Sequence, residues 1–85
     1  MGKYEKILAD VMSGKCDHNI HFDDLRYVIE HSGFIREHIS GSHHIYSFKD
    51  VVELIDIQPD KNDHSMAKAY QVKQVRKFFD RYLEV

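Results

Sequence analysis

At Gly33-Phe34 the spacing of apolar residues changes from helical to extended, and that change dictates a chain of mixed α and β structure. Upstream, Tyr4, Ile7, Leu8, Val11 and Met12 recur at i, i+3, i+4, i+7 and i+8, which is one face of a helix that Gly14 stops. "KCDHN" reads as a loop. Phe22, Leu25, Val28 and Ile29 mark a second helix, with Asp23 and Asp24 in its first turn, where carboxylates oppose the positive end of the helix dipole. Gly33 ends it. Downstream, "FIREHI" and "HIYSF" read as strands joined by Ser40-Gly41-Ser42, and "ELIDI" as a third after a bend at Lys49-Asp50. Pro59 closes that strand, because it has no N–H for a ladder. Residues 60–68 form a polar loop. A last helix runs from about Tyr70 to Leu83, with Val72, Val75, Phe79 and Tyr82 inward and Lys73, Arg76, Lys77, Asp80, Arg81 and Glu84 outward. The order α-α-β-β-β-α predicts an α+β fold: three helices packed on one face of a small three-stranded antiparallel sheet, its other face open.

Eighty-five residues suffice for one modest core, so the chain is read as a single domain. No apolar run approaches a bilayer's thickness, and no charged-then-apolar leader opens the chain. A lone cysteine, Cys16, excludes an internal disulfide and fits a reducing compartment. An intracellular, soluble, cytoplasmic protein with no membrane partner is the expectation. The net charge of −2 argues against nucleic acid, but its distribution does not. Acids crowd residues 1–60. Lys61, Lys68, Lys73, Arg76, Lys77 and Arg81 give the C-terminal segment a basic face able to bind phosphates.

The chemistry-bearing candidates are histidines, of which the chain has seven. Structural zinc prefers four ligands, usually with paired cysteines. "CDHNIH" offers Cys16, His18 and His21 without a recognisable fourth. His43 and His44 are neighbours on a strand, so they point to opposite faces and cannot chelate one ion together. Neither a metal nor another cofactor is expected. Nothing near Cys16 suggests an activated thiol, and no glycine loop cradles phosphate. His18, His31 and His64 read as solvated surface residues. General acid–base chemistry asks for less: a histidine titrates near neutral pH, and RNA supplies its own nucleophile in the 2′-hydroxyl. The residues alone favour an ordinary hairpin histidine over a catalyst.

"GSHHIY", entering the second strand of this element order, resembles the HicA family of toxins from type II toxin–antitoxin systems. "FDDLRYVIEHSGF" looks like that family's helix followed by Gly-Phe and the first strand. "IDIQP" looks like its third strand, and "KAYQVKQV" like the last helix of its longer members. The likeness covers Phe22 to Val75, within a core of residues 22–85; residues 1–21 would be an added N-terminal helix and loop. It implies a fold similar to the double-stranded RNA-binding domain. The implied activity is that of an mRNA interferase, a ribosome-independent endoribonuclease of the hydrolase class, neutralised by a HicB-type antitoxin that covers the active histidine.

The family's catalytic histidine follows Gly-Ser, which here gives His43 after Gly41 and Ser42, with His44 as the competing assignment. Pleating discriminates: if Tyr46 and Phe48 pack against the helices, His44 leans inward and His43 faces the open side. If Ile45 is the core residue, the assignment reverses. Gly41 and Ser42 would shape the turn. Lys68, Lys73, Arg76 and Lys77 are the expected RNA-backbone contacts. The chain departs from the shorter members in having Gln58-Pro59 and a longer polar loop where they carry a proline–histidine segment. A non-catalytic RNA-binding module and a protein-interaction domain are the alternatives.

Overall fold

The structure is a computed structural model that describes residues 2–83. Its elements are α1 (Lys3–Ser13), α2 (Phe22–His31), β1 (Ile35–Ser40), β2 (His43–Phe48), β3 (Val51–Ile57) and α3 (Ala69–Tyr82), in the predicted order. The strands form an antiparallel meander, β1-β2-β3. Two differences from the sequence reading are local. Asp17–Asn19, expected as loop, forms a single 3-10 turn. β3 begins two residues earlier than "ELIDI", at Val51. Glu84, part of the outward stripe expected on the last helix, lies outside the described residues.

The helical faces read from the sequence are the faces that pack. Val11, Leu25, Val28, Ile29, Val72, Val75 and Phe79 are buried, and they meet Tyr46, Phe48, Ile55 and Ile57 from the inner face of the sheet. α1 rests on α2 and α3, and its Ile7 and Val11 join the same core. Phe34 sits where the periodicity changes. It stacks on Phe48, with centroids 4.4 Å apart, and meets Phe78 edge-on at 5.4 Å, so the third residue past α2 ties the sheet to α3. Gly33 makes this junction possible by taking φ +95°, a left-handed conformation in which a side chain would be strained.

Tyr46 is the largest fully buried side chain. Burial of its hydroxyl is tolerated because it donates to Glu30 Oε2 at 2.7 Å. Burial and that acceptor together push the phenol up to about 12. The residues after β3 are sewn to the rest of the fold rather than hanging from it. Ala67 N–H donates to Ile20 O at 2.9 Å, Phe22 N–H to Ser65 O at 2.9 Å and Asp60 N–H to Met66 O at 2.8 Å. No helix among the described residues is long and apolar enough to cross a membrane.

Candidate functional site

Gly41 and Ser42 form the turn between β1 and β2, with Gly41 at φ +60°, another left-handed position suited to glycine. The chain leaves the turn directly into His43 and His44. Tyr46 and Phe48 are buried against the helices, so the pleat sends His44 inward and His43 to the open face.

Their environments then diverge. The His44 ring meets Phe22 edge-on at 5.1 Å, and its Nδ1 is buried with no hydrogen-bond partner. Burial holds its pKa below the ordinary histidine value. Arg26 and Arg36 add to the depression, while Glu30 and Asp23 oppose it. His43 is half exposed, and its Nδ1 lies 3.0 Å from Asp56 Oδ1 on the neighbouring strand. A carboxylate only accepts hydrogen bonds, so Nδ1 is the donor and the neutral ring keeps its lone pair on Nε2. A half-exposed imidazole held in one tautomer can take a proton from a hydroxyl placed against it.

Register supplies the pair. Ile45 stands opposite Asp56, and His43, two residues nearer the turn, lies diagonally across from Asp56 on the same face. His38 shares that face: it pairs with Ile45, while Ser40 pairs with His43. In a regular antiparallel pair such diagonal neighbours are roughly 7–8 Å apart. Sequence reasoning singled out neither Asp56 nor His38 for this role. "ELIDI" reads as a strand, and nothing in it shows which of its acids will face the histidine until the β2–β3 register is known. Ser42 Oγ donates to Gln58 Oε1 at 3.1 Å, tying the turn to the end of β3. Further along the same open face, toward the Ser47 end of β2, stand Ile35, Val52 and Leu54, all solvent-exposed.

The four cations expected to hold RNA do not form one stripe. Arg76 is turned inward. Its Nη1 donates to Asp17 Oδ1 at 2.8 Å and to Val11 O at 3.0 Å, and its Nη2 to Asp17 Oδ2 at 3.1 Å. Asp17 is buried, and this guanidinium holds its carboxyl below the usual carboxylate range. The pairing fixes the 3-10 turn to α3 and commits both Nη atoms of Arg76 to the fold, so this residue serves Asp17 rather than an open basic stripe. Lys77 stands beside the outer edge of β3, near Glu53 and Arg81. Lys68 and Lys73 line a separate cleft against the 60–68 loop. Neither cleft contains His43.

Among the described residues, no three His, Cys, Asp or Glu side chains converge as a metal site would require. No family model, no curated protein and no solved structure matches the chain.

Proposed function

We propose that this chain is an endoribonuclease that cleaves single-stranded mRNA, with His43 as the acid–base residue and Asp56 holding its ring. The observation that carries this reading is the His43–Asp56 hydrogen bond on a solvent-facing strand, beside a histidine that the fold has turned inward. His43 Nε2 takes the proton of a 2′-hydroxyl as that oxygen attacks the adjacent phosphorus. The P–O5′ bond breaks, and the leaving oxygen receives a proton from His38 in its protonated form. The products are a 2′,3′-cyclic phosphate and a free 5′-hydroxyl. The nucleophile belongs to the RNA, so the scheme has no need of a metal-activated water.

The resemblance to HicA toxins extends this reading to a cytoplasmic toxin whose antitoxin is a HicB-type protein. Ile35 and Leu54, exposed on the same open face as His43, suit a protein cover of that kind. The test is incubation of the purified chain with unstructured RNA in the presence of a chelator. Cleavage leaving cyclic phosphate ends is expected. Activity lost to the chelator and restored by a divalent ion would overturn the mechanism. Binding without cleavage would leave an RNA-binding module.

A further inference from the structure

We propose that the cleft between the 60–68 loop and the first turn of α3 is a second site, which takes a nucleotide flanking the cleaved bond. Its phosphate lies among Lys61, Lys68 and Lys73, and its base lies on Tyr70. The assignment of the ligand rests on the ribonuclease reading above.

The cleft has a volume of about 710 Å³, and these four residues line it together with His18. None of the three lysines has a carboxylate within ion-pair distance among the described residues, where Arg26, His43, Arg76 and Arg81 are the paired cations. The two acids in the cleft wall are engaged by their own loop. Asp60 Oδ1 accepts from the N–H groups of Asn62 and Asp63 at 2.8 and 3.3 Å. Asp63 Oδ1 accepts from Ser65 N–H at 3.0 Å and Ser65 Oγ at 2.7 Å. The carboxylates therefore shape the wall while the ammonium groups remain free to meet an anion.

Tyr70 is 55 % exposed, although the rest of α3 buries its aromatic Phe79 completely. Lys68 Nζ lies 5.9 Å from its ring centroid, so one aromatic face and one cation stand side by side. That pairing suits a base and its phosphate, since any base can stack on an aromatic ring. An acidic peptide would use the lysines but leave the ring idle.

The cleft and His43 lie on one path. Gln58 links them: its Oε1 accepts from Ser42 Oγ at 3.1 Å, and its N–H donates to Gln71 Oε1 at 3.0 Å, one residue after Tyr70. Asp60 lies four positions after Asp56, a span of at most about 14 Å. A strand of RNA with its scissile phosphate at His43 reaches the cleft within a short run of nucleotides.

The experiment measures binding of a short, mixed-sequence, fully 2′-O-methylated RNA, which lacks the nucleophile and so reports binding alone. Lys61→Gln/Lys68→Gln/Lys73→Gln should weaken binding at least about 10-fold at low salt and reduce the slope of log affinity against log salt by about 2, given ~0.7 per phosphate contact on single strands. Tyr70→Ala should weaken it about 5- to 100-fold, while Tyr70→Phe keeps the parent affinity. Lys3→Gln/Lys6→Gln, on α1, should change nothing, and thermal midpoints confirm folding throughout. With cleavable RNA, the cleft variants should raise KM and leave kcat. Unchanged affinity in both cleft variants, equal loss in the α1 control, or tighter binding of polyglutamate than of RNA would overturn the site. Loss of binding in the cleft variants of a parent that never cleaves RNA supports the site and defeats only the ribonuclease reading. Cleavage undisturbed by these variants does the reverse.

Discussion

His43 and His44 share a chain segment, a residue type and a strand, yet the two faces of the sheet give them opposite chemistry. On the inner face, His44 packs on Phe22 with its Nδ1 buried and unpartnered, and protonation is penalised. On the open face, His43 is half exposed and an acid across the strand fixes its tautomer. Pleating makes the difference, and a register slip of one residue would exchange the two roles. Residue type alone therefore says little about catalysis here; the neighbours that a face provides decide it. The cations of α3 repeat the lesson. Arg76 serves the fold through Asp17, whereas Lys73, three residues earlier and one turn away, remains exposed.

The contrast between inward and outward groups can be broken at several points. The largest effect is expected at the inward cation. Arg76→Ala leaves the buried Asp17 without its partner, and chemical denaturation should show a loss of about 3 kcal/mol. The same pair makes stability fall in acid: the Asp17 carboxyl titrates lower in the folded chain than in the unfolded one, so its contribution is present above the ordinary value of 3.8 and disappears as pH falls through and below it. An Asp17→Asn variant should lose that part of the pH dependence.

Next in size is the carboxylate on the open face. Asp56→Asn keeps the shape of the side chain but removes its charge and its obligation to accept, so the His43 ring is no longer held in one tautomer. Cleavage should slow by about 10- to 100-fold with the melting temperature nearly unchanged. An equal loss of stability would make Asp56 a structural partner instead.

A smaller and opposite effect belongs to the inward histidine. His44→Leu replaces a ring with an unsatisfied buried nitrogen by an apolar side chain, and should stabilise the protein by about 1 kcal/mol. The gain should widen as pH falls through the ordinary histidine value of 6.5. The folded chain resists protonating His44 and the unfolded chain does not, so falling pH favours unfolding of the parent but not of the variant. The smallest change should come from Lys77→Gln, at an exposed position beside β3, with RNA affinity and stability both within about 0.5 kcal/mol of the parent.

Much of this was legible in the sequence, for identifiable reasons. The helical faces of α1, α2 and α3 depend on spacing within one element, and Val11, Leu25, Val72, Val75 and Phe79 are buried as that spacing requires. The direction of His44 follows by counting in twos only once Tyr46 and Phe48, rather than Ile45, are seen to be the core residues of β2. What escaped depends on partners distant in the chain. Arg76 lies 59 residues from Asp17, and no periodicity joins them. Asp56 lies 13 residues from His43, and their meeting depends on a β2–β3 pairing with an irregularity between Tyr46 and Phe48. In the sequence Tyr70 reads as the start of a helix, and its exposure shows only with the fold of the 60–68 loop around it.

The central claim is that His43 performs the chemistry and His44 serves the fold. One paired measurement tests it: the RNA cleavage rate and the thermal midpoint of His43→Ala and His44→Ala in the same buffer. The account predicts that His43→Ala loses at least about 100-fold in rate while its stability changes by about 1 kcal/mol or less. It predicts that folded His44→Ala cleaves like the parent while its midpoint moves. A fully active His43→Ala beside an inactive, normally stable His44→Ala would contradict it, and so would two folded variants that both cleave like the parent.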